Sequence, residues 1–147
     1  MLADKAAIAK AIPHAGSMCL LDGVLECDAQ RIRCISGTHR DADNPMRSGN
    51  ELSALCGIEY AAQAMAVHGV WGGQIDKKPR AGYLASLRDV RCKIMRLDTL
   101  LDDLIIDAEK LMGDEARVIY QFTLHAGKNE IMSGRATVVL DADKVAA

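Results

Sequence analysis

Residues 54–71 read Ala54-Leu55-Cys56-Gly57-Ile58-Glu59-Tyr60-Ala61-Ala62-Gln63-Ala64-Met65-Ala66-Val67-His68-Gly69-Val70-Trp71, and this stretch decides the fold. The run predicts a helix that is apolar around almost its whole circumference, so most of its sides should be buried. Asn50 and Ser53 are alternative caps for its start, and Gly72-Gly73 ends it. A buried carboxylate is costly unless it is paired, protonated or used in chemistry. Glu59 is therefore the first candidate for a functional residue.

Glu59 has a potential polar neighbour on the same helix. Gln63 lies one turn further on, so the two side chains can meet on one face. In a structural interpretation, Glu59 pairs with an arginine from a neighbouring strand and Gln63 holds it in place. In a functional interpretation, the two form a polar pair at the bottom of a pocket. Desolvation there would keep the carboxyl group protonated, and such a group can act as a general acid or base near neutral pH.

Two of the four histidines are candidate partners for Glu59. His39 ends a predicted strand and precedes the irregular loop 40–50, and His14 lies in the first loop of the chain. Loops held on a rigid scaffold often carry function. His68 is predicted to be a surface or interface residue, and His125 to be a surface residue at the end of a strand.

The rest of the chain predicts mostly β-structure. A short helix is expected over residues 2–11, and strands over 18–26, 31–39, 82–92, 100–111, 117–126 and 130–140, where 100–111 is also consistent with a helix. Antiparallel strands set apart from one long helix are typical of an α+β domain. We therefore expect one domain over residues 1–147, in which a curled antiparallel β-sheet wraps around the small-residue helix.

Composition argues against several classes of function. A net charge of −2 gives no support for a nucleic-acid or membrane partner. Three polar residues also interrupt the apolar run 54–71, which argues against a membrane span. The five cysteines include no C-x-x-C pair, so no metal site is predicted. Buried reduced thiols make a cytoplasmic location the expectation, and residues 1–5 do not begin a signal peptide.

Three segments resemble one enzyme family. They are Ile12-Pro13-His14-Ala15-Gly16-Ser17-Met18-Cys19-Leu20-Leu21-Asp22-Gly23-Val24, Gly57-Ile58-Glu59-Tyr60-Ala61-Ala62-Gln63-Ala64, and Tyr83-Leu84-Ala85-Ser86-Leu87-Arg88-Asp89-Val90-Arg91-Cys92-Lys93. In this order they are similar to the opening, the central helix and the third strand of the hot-dog-fold 3-hydroxyacyl-acyl-carrier-protein dehydratases. The nearest resemblance is to the divergent dehydratase-like group of aryl-polyene biosynthesis clusters.

The resemblance implies a hot-dog fold and a dimer across which the two sheets join. It places the active site at the dimer interface, where a histidine of one subunit meets the acid of the other. Carried over to this chain, Glu59 is the acid and His39 the histidine, with His14 as the alternative. The family's His-Phe-Pro-Gly motif is replaced here by residues 39–45, His-Arg-Asp-Ala-Asp-Asn-Pro, and a longer spacer separates His39 from the acid.

The implied reaction is the elimination of water from a 3-hydroxyacyl thioester. His39 removes the proton next to the carbonyl, and Glu59 protonates the leaving hydroxyl group. Gln63 orients Glu59, and amides near Ala54 and Leu55 stabilise the enolate-like oxygen. Tyr83, at the start of the third-strand motif, is a further substrate-binding candidate. No metal or redox cofactor is required, because the substrate arrives on the phosphopantetheine of an acyl carrier protein.

A basic cluster is a candidate docking site for that carrier protein. It contains Lys77, Lys78 and Arg80, and extends to Arg88, Arg91, Lys93 and Arg96. A surface of this charge attracts acidic partners. The alternative is a solvated strand face with a loop beside it.

Two other functions on the same scaffold remain open. In an acyl thioesterase, Glu59 would activate water or attack the thioester carbonyl. In a catalytically silent subunit, the chain would bind acyl groups or pair with an active hot-dog partner, and the altered histidine loop keeps this alternative open. We expect a homodimer or a higher oligomer, with a heteromer of two hot-dog chains as the other form.

Overall fold

The computed structural model describes residues 1–12, 18–72 and 81–141. Within the range 81–141, side chains are described for residues 84–140. The helices and strands, in chain order, are β1 (Ala3–Asp4), α1 (Lys5–Ala11), β2 (Gly23–Cys27), β3 (Arg31–Ser36), α2 (Gly57–Trp71), β4 (Ala81–Cys92), β5 (Leu104–Gly113), β6 (Arg117–Ala126) and β7 (Asn129–Asp141).

The seven strands form one antiparallel sheet in the order β1-β2-β3-β5-β6-β7-β4. Helix α2 packs across one face of this sheet, so the predicted α+β arrangement is confirmed. The short β1 lies at one edge, and the long β4 lies at the other, where β7 is its one partner among the described strands. In the described ranges, no helix is long and apolar enough to cross a membrane.

Strand β6 shows why the sheet and the helix fit together. Its side chains alternate, and the five on the side of α2 are almost fully buried: Val118, Tyr120, Phe122, Leu124 and Ala126. Period-two alternation of this kind gives a strand one apolar face and one polar face. Phe122 needs a glycine beside it, since a Cβ atom at Gly134 would lie 2.7 Å from the phenyl ring.

Helix α2 begins later than the sequence predicts. Ser53, rather than Asn50, supplies the cap, and its hydroxyl group accepts a hydrogen bond from the Leu55 amide at 3.3 Å. The first turn, Ala54–Cys56, is a 3-10 helix, and α-helical geometry starts at Gly57. The helix ends at Trp71, where the sequence placed it.

Several predicted strand ends are displaced because their backbone groups bind side chains. The predicted strand 18–26 is β2, which starts only at Gly23, since the amide and the carbonyl of Leu20 both bind side chains. The predicted strand 31–39 ends at Ser36 and is followed by a 3-10 turn over Thr38–Arg40. Residues 104–113 form β5, so the helical alternative for 100–111 is wrong.

His68 is buried, and the prediction of a surface residue is wrong. Its Nε2 donates a hydrogen bond to the carbonyl of Asp28 at 2.8 Å, and its Nδ1 accepts one from the Tyr120 hydroxyl at 2.8 Å. The close approach to Asp28 requires Gly72, where a Cβ atom would lie 2.4 Å from the imidazole ring. Burial lowers the pKa of His68 below its ordinary value of 6.5, since the charged form would lose its hydration.

This burial gives the stability of the fold a pH dependence. Below pH 6.5 the unfolded chain binds a proton at His68 that the folded chain resists, so the free energy of unfolding falls as the pH drops toward the lowered folded pKa. The slope is at most about 1.4 kcal/mol per pH unit for one proton. His68→Gln is expected to reduce this slope between pH 5 and 7 in urea unfolding by the share that His68 contributes, whereas Tyr120→Phe, which keeps the imidazole, should preserve it. An unchanged slope in His68→Gln would contradict this.

Candidate active site

Glu59 and Gln63 form the polar pair that the sequence predicts. The Gln63 side chain is 2% exposed. Its Nε2 donates to the Met18 carbonyl at 2.7 Å and lies 3.4 Å from a carboxylate oxygen of Glu59. Its Oε1 accepts from the Leu20 amide at 2.9 Å. Gln63 thus ties α2 to residues 18–20 and sets the position of Glu59. Of the arginines in the described residues, none forms an ion pair with Glu59.

Within the single chain, Glu59 is partly buried. At 100° per residue it shares a face of α2 with Ala62, Ala66 and Val70, and Ala66 is exposed. Small residues on a helix allow another backbone to approach closely. Glu59 therefore lies at one end of an apolar stripe that the described residues leave partly uncovered.

His39 lies in the interior, on the 3-10 turn after β3. It is 0% exposed, and its Nε2 donates a hydrogen bond to the Leu100 carbonyl at 3.1 Å. Burial lowers the pKa of His39 below its ordinary value of 6.5, and the neighbouring charge of Arg40 acts in the same direction. The ring is therefore neutral at pH 7, with its proton on Nε2, because a carbonyl can only accept.

The other ring nitrogen, Nδ1, is buried and finds no hydrogen-bond partner in the described part of the chain. Within that part, His39 also makes no hydrogen bond or ion pair with Glu59. The turn around it is clamped, since Arg40 binds Asp103 at 2.5 Å and Arg47 donates to the His39 carbonyl at 3.2 Å. His39 thus has its free lone pair on Nδ1, as a base requires, and the clamped turn leaves its side chain little room to move.

A second polar network, which the sequence analysis missed, surrounds Tyr60. This tyrosine is 0% exposed, and its hydroxyl group donates to Thr38 Oγ1 at 2.7 Å and accepts from Asn44 Nδ2 at 3.2 Å. Ser36 and Thr38 both donate to the Leu20 carbonyl. The network fixes the loop after β3 against α2 at Tyr60, the residue that follows Glu59. A signal was present in the sequence, since a tyrosine in a buried helix needs a partner for its hydroxyl group.

The amides expected to bind the substrate oxygen are mostly engaged. The Ala54 amide donates to the Met95 carbonyl at 2.9 Å, so it has no free hydrogen for a ligand. The Leu55 amide makes the longer bond of 3.3 Å to Ser53 Oγ, and its side chain is 62% exposed. The Leu55 amide therefore remains a candidate donor to the substrate oxygen. The interpretation of the Ala54 amide as such a donor is wrong for this conformation.

The basic cluster divides into two groups. Lys77, Lys78 and Arg80 lie outside the described residues, as does His14, and the side chain of Tyr83 in β4 is not described. Lys93 pairs with Glu130 at 3.8 Å, and Arg96 pairs with Asp98 and Glu51. Arg88 and Arg91 are exposed on β4, and neither forms an ion pair with a described residue.

A family model described as ApeP dehydratase, of the ApeP-like group, matches residues 6–147. The chain belongs to the ApeP-like dehydratase family. This confirms the resemblance seen in the three sequence segments. Among curated protein sequences, none matches this chain.

Solved structures confirm the hot-dog fold. The dehydratase heterocomplex ApeI:P from Xenorhabdus doucetiae is similar with a TM-score of 0.77 and 22% identity, over 91% of this chain and 90% of that chain. A mutant thioesterase from Pseudomonas aeruginosa gives a TM-score of 0.66 at 8% identity, over 95% of each chain. Zebra fish thioesterase superfamily member 2 gives 0.66 at 12% identity, over 93% and 95%. The fold is therefore shared by dehydratases and thioesterases.

Proposed function

We propose that this ApeP-like chain is a subunit of a dehydratase that eliminates water from a 3-hydroxyacyl thioester carried on an acyl carrier protein. The observation that carries the proposal is the Glu59–Gln63 pair. It fixes a carboxyl group at the margin of an uncovered apolar stripe, where a bound acyl chain and a second subunit would exclude water. Family membership supports dehydration as the reaction.

In this mechanism, two groups act on neighbouring carbons of the substrate. A histidine takes the proton from the carbon next to the thioester carbonyl, and the electron pair moves onto the carbonyl oxygen. As the carbonyl re-forms, the electrons make the carbon–carbon double bond and the hydroxyl group leaves. Glu59 gives this hydroxyl group a proton, so the products are the enoyl thioester and water. The Leu55 amide is the candidate donor to the transient oxyanion.

The histidine comes from one of two places. In the described residues of one chain, no histidine contacts Glu59, so the base belongs either to residues 13–17 or to a second subunit. His39 of a partner would supply the correct tautomer, with its lone pair on Nδ1. His14 precedes Met18 by four positions, and the Met18 carbonyl binds the same Gln63 that holds Glu59.

A second function is favoured by one specific observation, the enclosure of His39. Because its Nδ1 is sealed within the chain, a silent subunit that completes an active hot-dog partner is the main rival. The heterocomplex of two dehydratase chains from Xenorhabdus doucetiae gives this rival a precedent. The fold's thioesterase relatives make hydrolysis the other rival.

The test is to offer a 3-hydroxyacyl carrier protein to the purified chain and follow the enoyl product. His39→Gln keeps a donor for the Leu100 carbonyl and removes the base, and His14→Gln is the matched variant. We expect one of these two substitutions to abolish turnover, because loss of a general base costs about 100-fold or more in rate. The other substitution should leave turnover within about threefold of the wild type.

Activity that survives in the double variant would contradict the mechanism, and release of free thiol would identify a thioesterase. No turnover by the wild-type chain alone, with a stable complex to a second hot-dog chain, would identify the silent subunit.

A further inference from the structure

Residues 99–103 form a short irregular segment that lies against His39 and leads into β5. We call this segment the strap. Leu97, just before it, is 1% exposed, and its amide donates to the Leu52 carbonyl at 2.8 Å. Leu104, just after it, is fully buried as the first residue of β5. The strap is therefore fixed at both ends.

Between these anchors the strap has little apolar packing. Four of its five residues are exposed, and the apolar Leu101 is 88% exposed. Leu100 alone is half-buried. Segments with few buried apolar contacts open locally at low cost compared with unfolding of the whole domain. What keeps the strap in place must therefore be sought in its polar contacts.

Those contacts come from two adjacent residues on the 3-10 turn after β3. His39 donates from Nε2 to the Leu100 carbonyl at 3.1 Å. Arg40 donates to the Leu101 carbonyl and pairs with the Asp103 carboxylate at 2.5 Å. We call the Arg40–Asp103 pair the latch. The strap is thus held against the imidazole ring by side-chain contacts rather than by burial of its own residues.

The latch is weak because it is exposed to solvent. The Arg40 and Asp103 side chains are 40% and 47% exposed. An exposed ion pair changes an equilibrium constant by about two- to fivefold, and salt screens it. The latch also closes over Gly37, where a Cβ atom would lie 2.6 Å from the Arg40 guanidinium. A small change in conditions or in sequence is therefore enough to release it.

The strap has space to move away from His39. Leu100 and Asp102 line a cavity of about 550 Å³, together with Ile94 and residues 128–131. Cavities of about 300–1,000 Å³ accommodate whole small molecules, so this one has room for a leucine side chain. His39 does not line the cavity, so Leu100 separates the ring from this space. A shift of Leu100 into the cavity would withdraw its carbonyl from Nε2.

The closed position is also imperfect for His39. Its Nδ1 is buried and has no hydrogen-bond partner within the described ranges. A buried polar atom without a partner loses the hydrogen bond that water would give it. Opening the strap would return water to the ring, which offsets part of the cost of losing the bond to Leu100. The contacts around His39 therefore favour a strap that opens and closes.

We propose that the strap is a gate over His39, that the Arg40–Asp103 pair is its latch, and that other molecules reach the imidazole ring only when the strap moves into the cavity. The gate itself does not depend on dehydration. Its part in catalysis rests on the proposed function, since His39 could act as the base only in the open state. Access to the ring is measured without turnover, so the gate can fail while dehydration stands, and the reverse.

The test is the rate at which diethyl pyrocarbonate modifies each histidine of the full chain, read by peptide mass mapping. This reagent transfers an ethoxycarbonyl group to a neutral imidazole nitrogen and releases ethanol and carbon dioxide. His125, which is partly exposed, is the accessible reference, and His68, which is buried between Asp28 and Tyr120, is the buried one. In the wild type, His39 should react at least about tenfold more slowly than His125.

Two substitutions release the latch. Asp103→Asn should raise the rate at His39 by about two- to fivefold, as expected for loss of an exposed ion pair. Arg40→Met keeps most of the aliphatic stem but also removes the bond to the Leu101 carbonyl, so the rate should rise further. Asp107→Asn is the matched control, since it breaks a partly exposed arginine pair on β5, with Arg33, away from the strap. It should leave the rate at His39 unchanged.

Salt tests the latch without any variant. The Debye length falls from about 10 Å at 0.1 M salt to about 3 Å at 1 M, so the wild-type rate at His39 should rise relative to His125. Asp103→Asn should respond less. Equal rates at His39 in the wild type and in both latch variants would overturn the inference. Acceleration of His39 and His68 together would overturn it as well, because the whole chain would then be opening.

Discussion

Replacing Glu59 by glutamine is expected to lower kcat for dehydration by about 100- to 10,000-fold, because the amide cannot give a proton to the leaving hydroxyl group. The assay is enoyl formation from a 3-hydroxyacyl carrier protein by the assembled enzyme. The thermal midpoint should stay within about 2 °C of the wild type, because a surface substitution away from core features changes stability little. Glu59 is partly exposed, and its one hydrogen bond with a described residue, from Gln63, is long at 3.4 Å.

The matched control is Glu26→Gln. Glu26 is exposed on β2, so this change makes the same chemical substitution away from the proposed site. It should leave both kcat and the thermal midpoint unchanged. Equal kcat values for Glu59→Gln and wild type would remove Glu59 from the mechanism, and the silent-subunit interpretation would then take its place.

Replacing Gln63 by leucine should cost both stability and activity. Leucine has a similar volume but leaves the Leu20 amide and the Met18 carbonyl without their partner. Each buried group left unsatisfied costs about 1–3 kcal/mol, so we expect a loss of about 2–4 kcal/mol in urea unfolding. Activity should fall by about 10- to 100-fold in conditions where the variant is folded, because Glu59 loses its positioning contact.

Gln121→Leu serves as the control for adding a leucine. Gln121 is partly buried on the outer side of β6, and its side chain makes no hydrogen bond with a described residue. This variant should retain stability within about 0.5 kcal/mol, as is usual for surface positions. If Gln63→Leu were as stable and as active as Gln121→Leu, Gln63 would only occupy space in the core and would not position Glu59.

The sequence predicted the fold well where the pattern was local. Residues 117–126 alternate between apolar and polar apart from Ile119, and they form β6 with the predicted bounds. The run 54–71 has the composition of a buried helix and forms the 3-10 turn and α2. The spacing of Glu59 and Gln63 by one turn was enough to predict their contact, because helix geometry fixes it.

The failures involve contacts between residues far apart in the chain. His68 looks like a surface residue until β6 brings the Tyr120 hydroxyl group to its ring. His39 looks accessible in a polar loop, but its partner is a backbone carbonyl 61 residues away. Neither contact can be predicted from the composition or the periodicity of the sequence. Ala54 likewise appears to have a free amide until Met95 binds it.

The late start of the predicted strand 18–26 has the same origin. Its apolar pattern suits a strand, but the Leu20 backbone is taken by Gln63, Ser36 and Thr38. Three side chains, two from residues 36–38 and one from α2, thus compete with strand pairing for the Leu20 carbonyl and amide. Local propensity cannot weigh that competition.

The most direct test of the central claim is the mass of the acyl group on the carrier-protein arm after one turnover. Intact-protein mass spectrometry of a 3-hydroxyacyl carrier protein, incubated with the assembled enzyme, separates the three proposed outcomes. We expect the carrier-protein arm to lose one water with the wild-type chain and to keep its mass with Glu59→Gln. Equal water loss with both proteins, or loss of the whole acyl group from the arm, would contradict it.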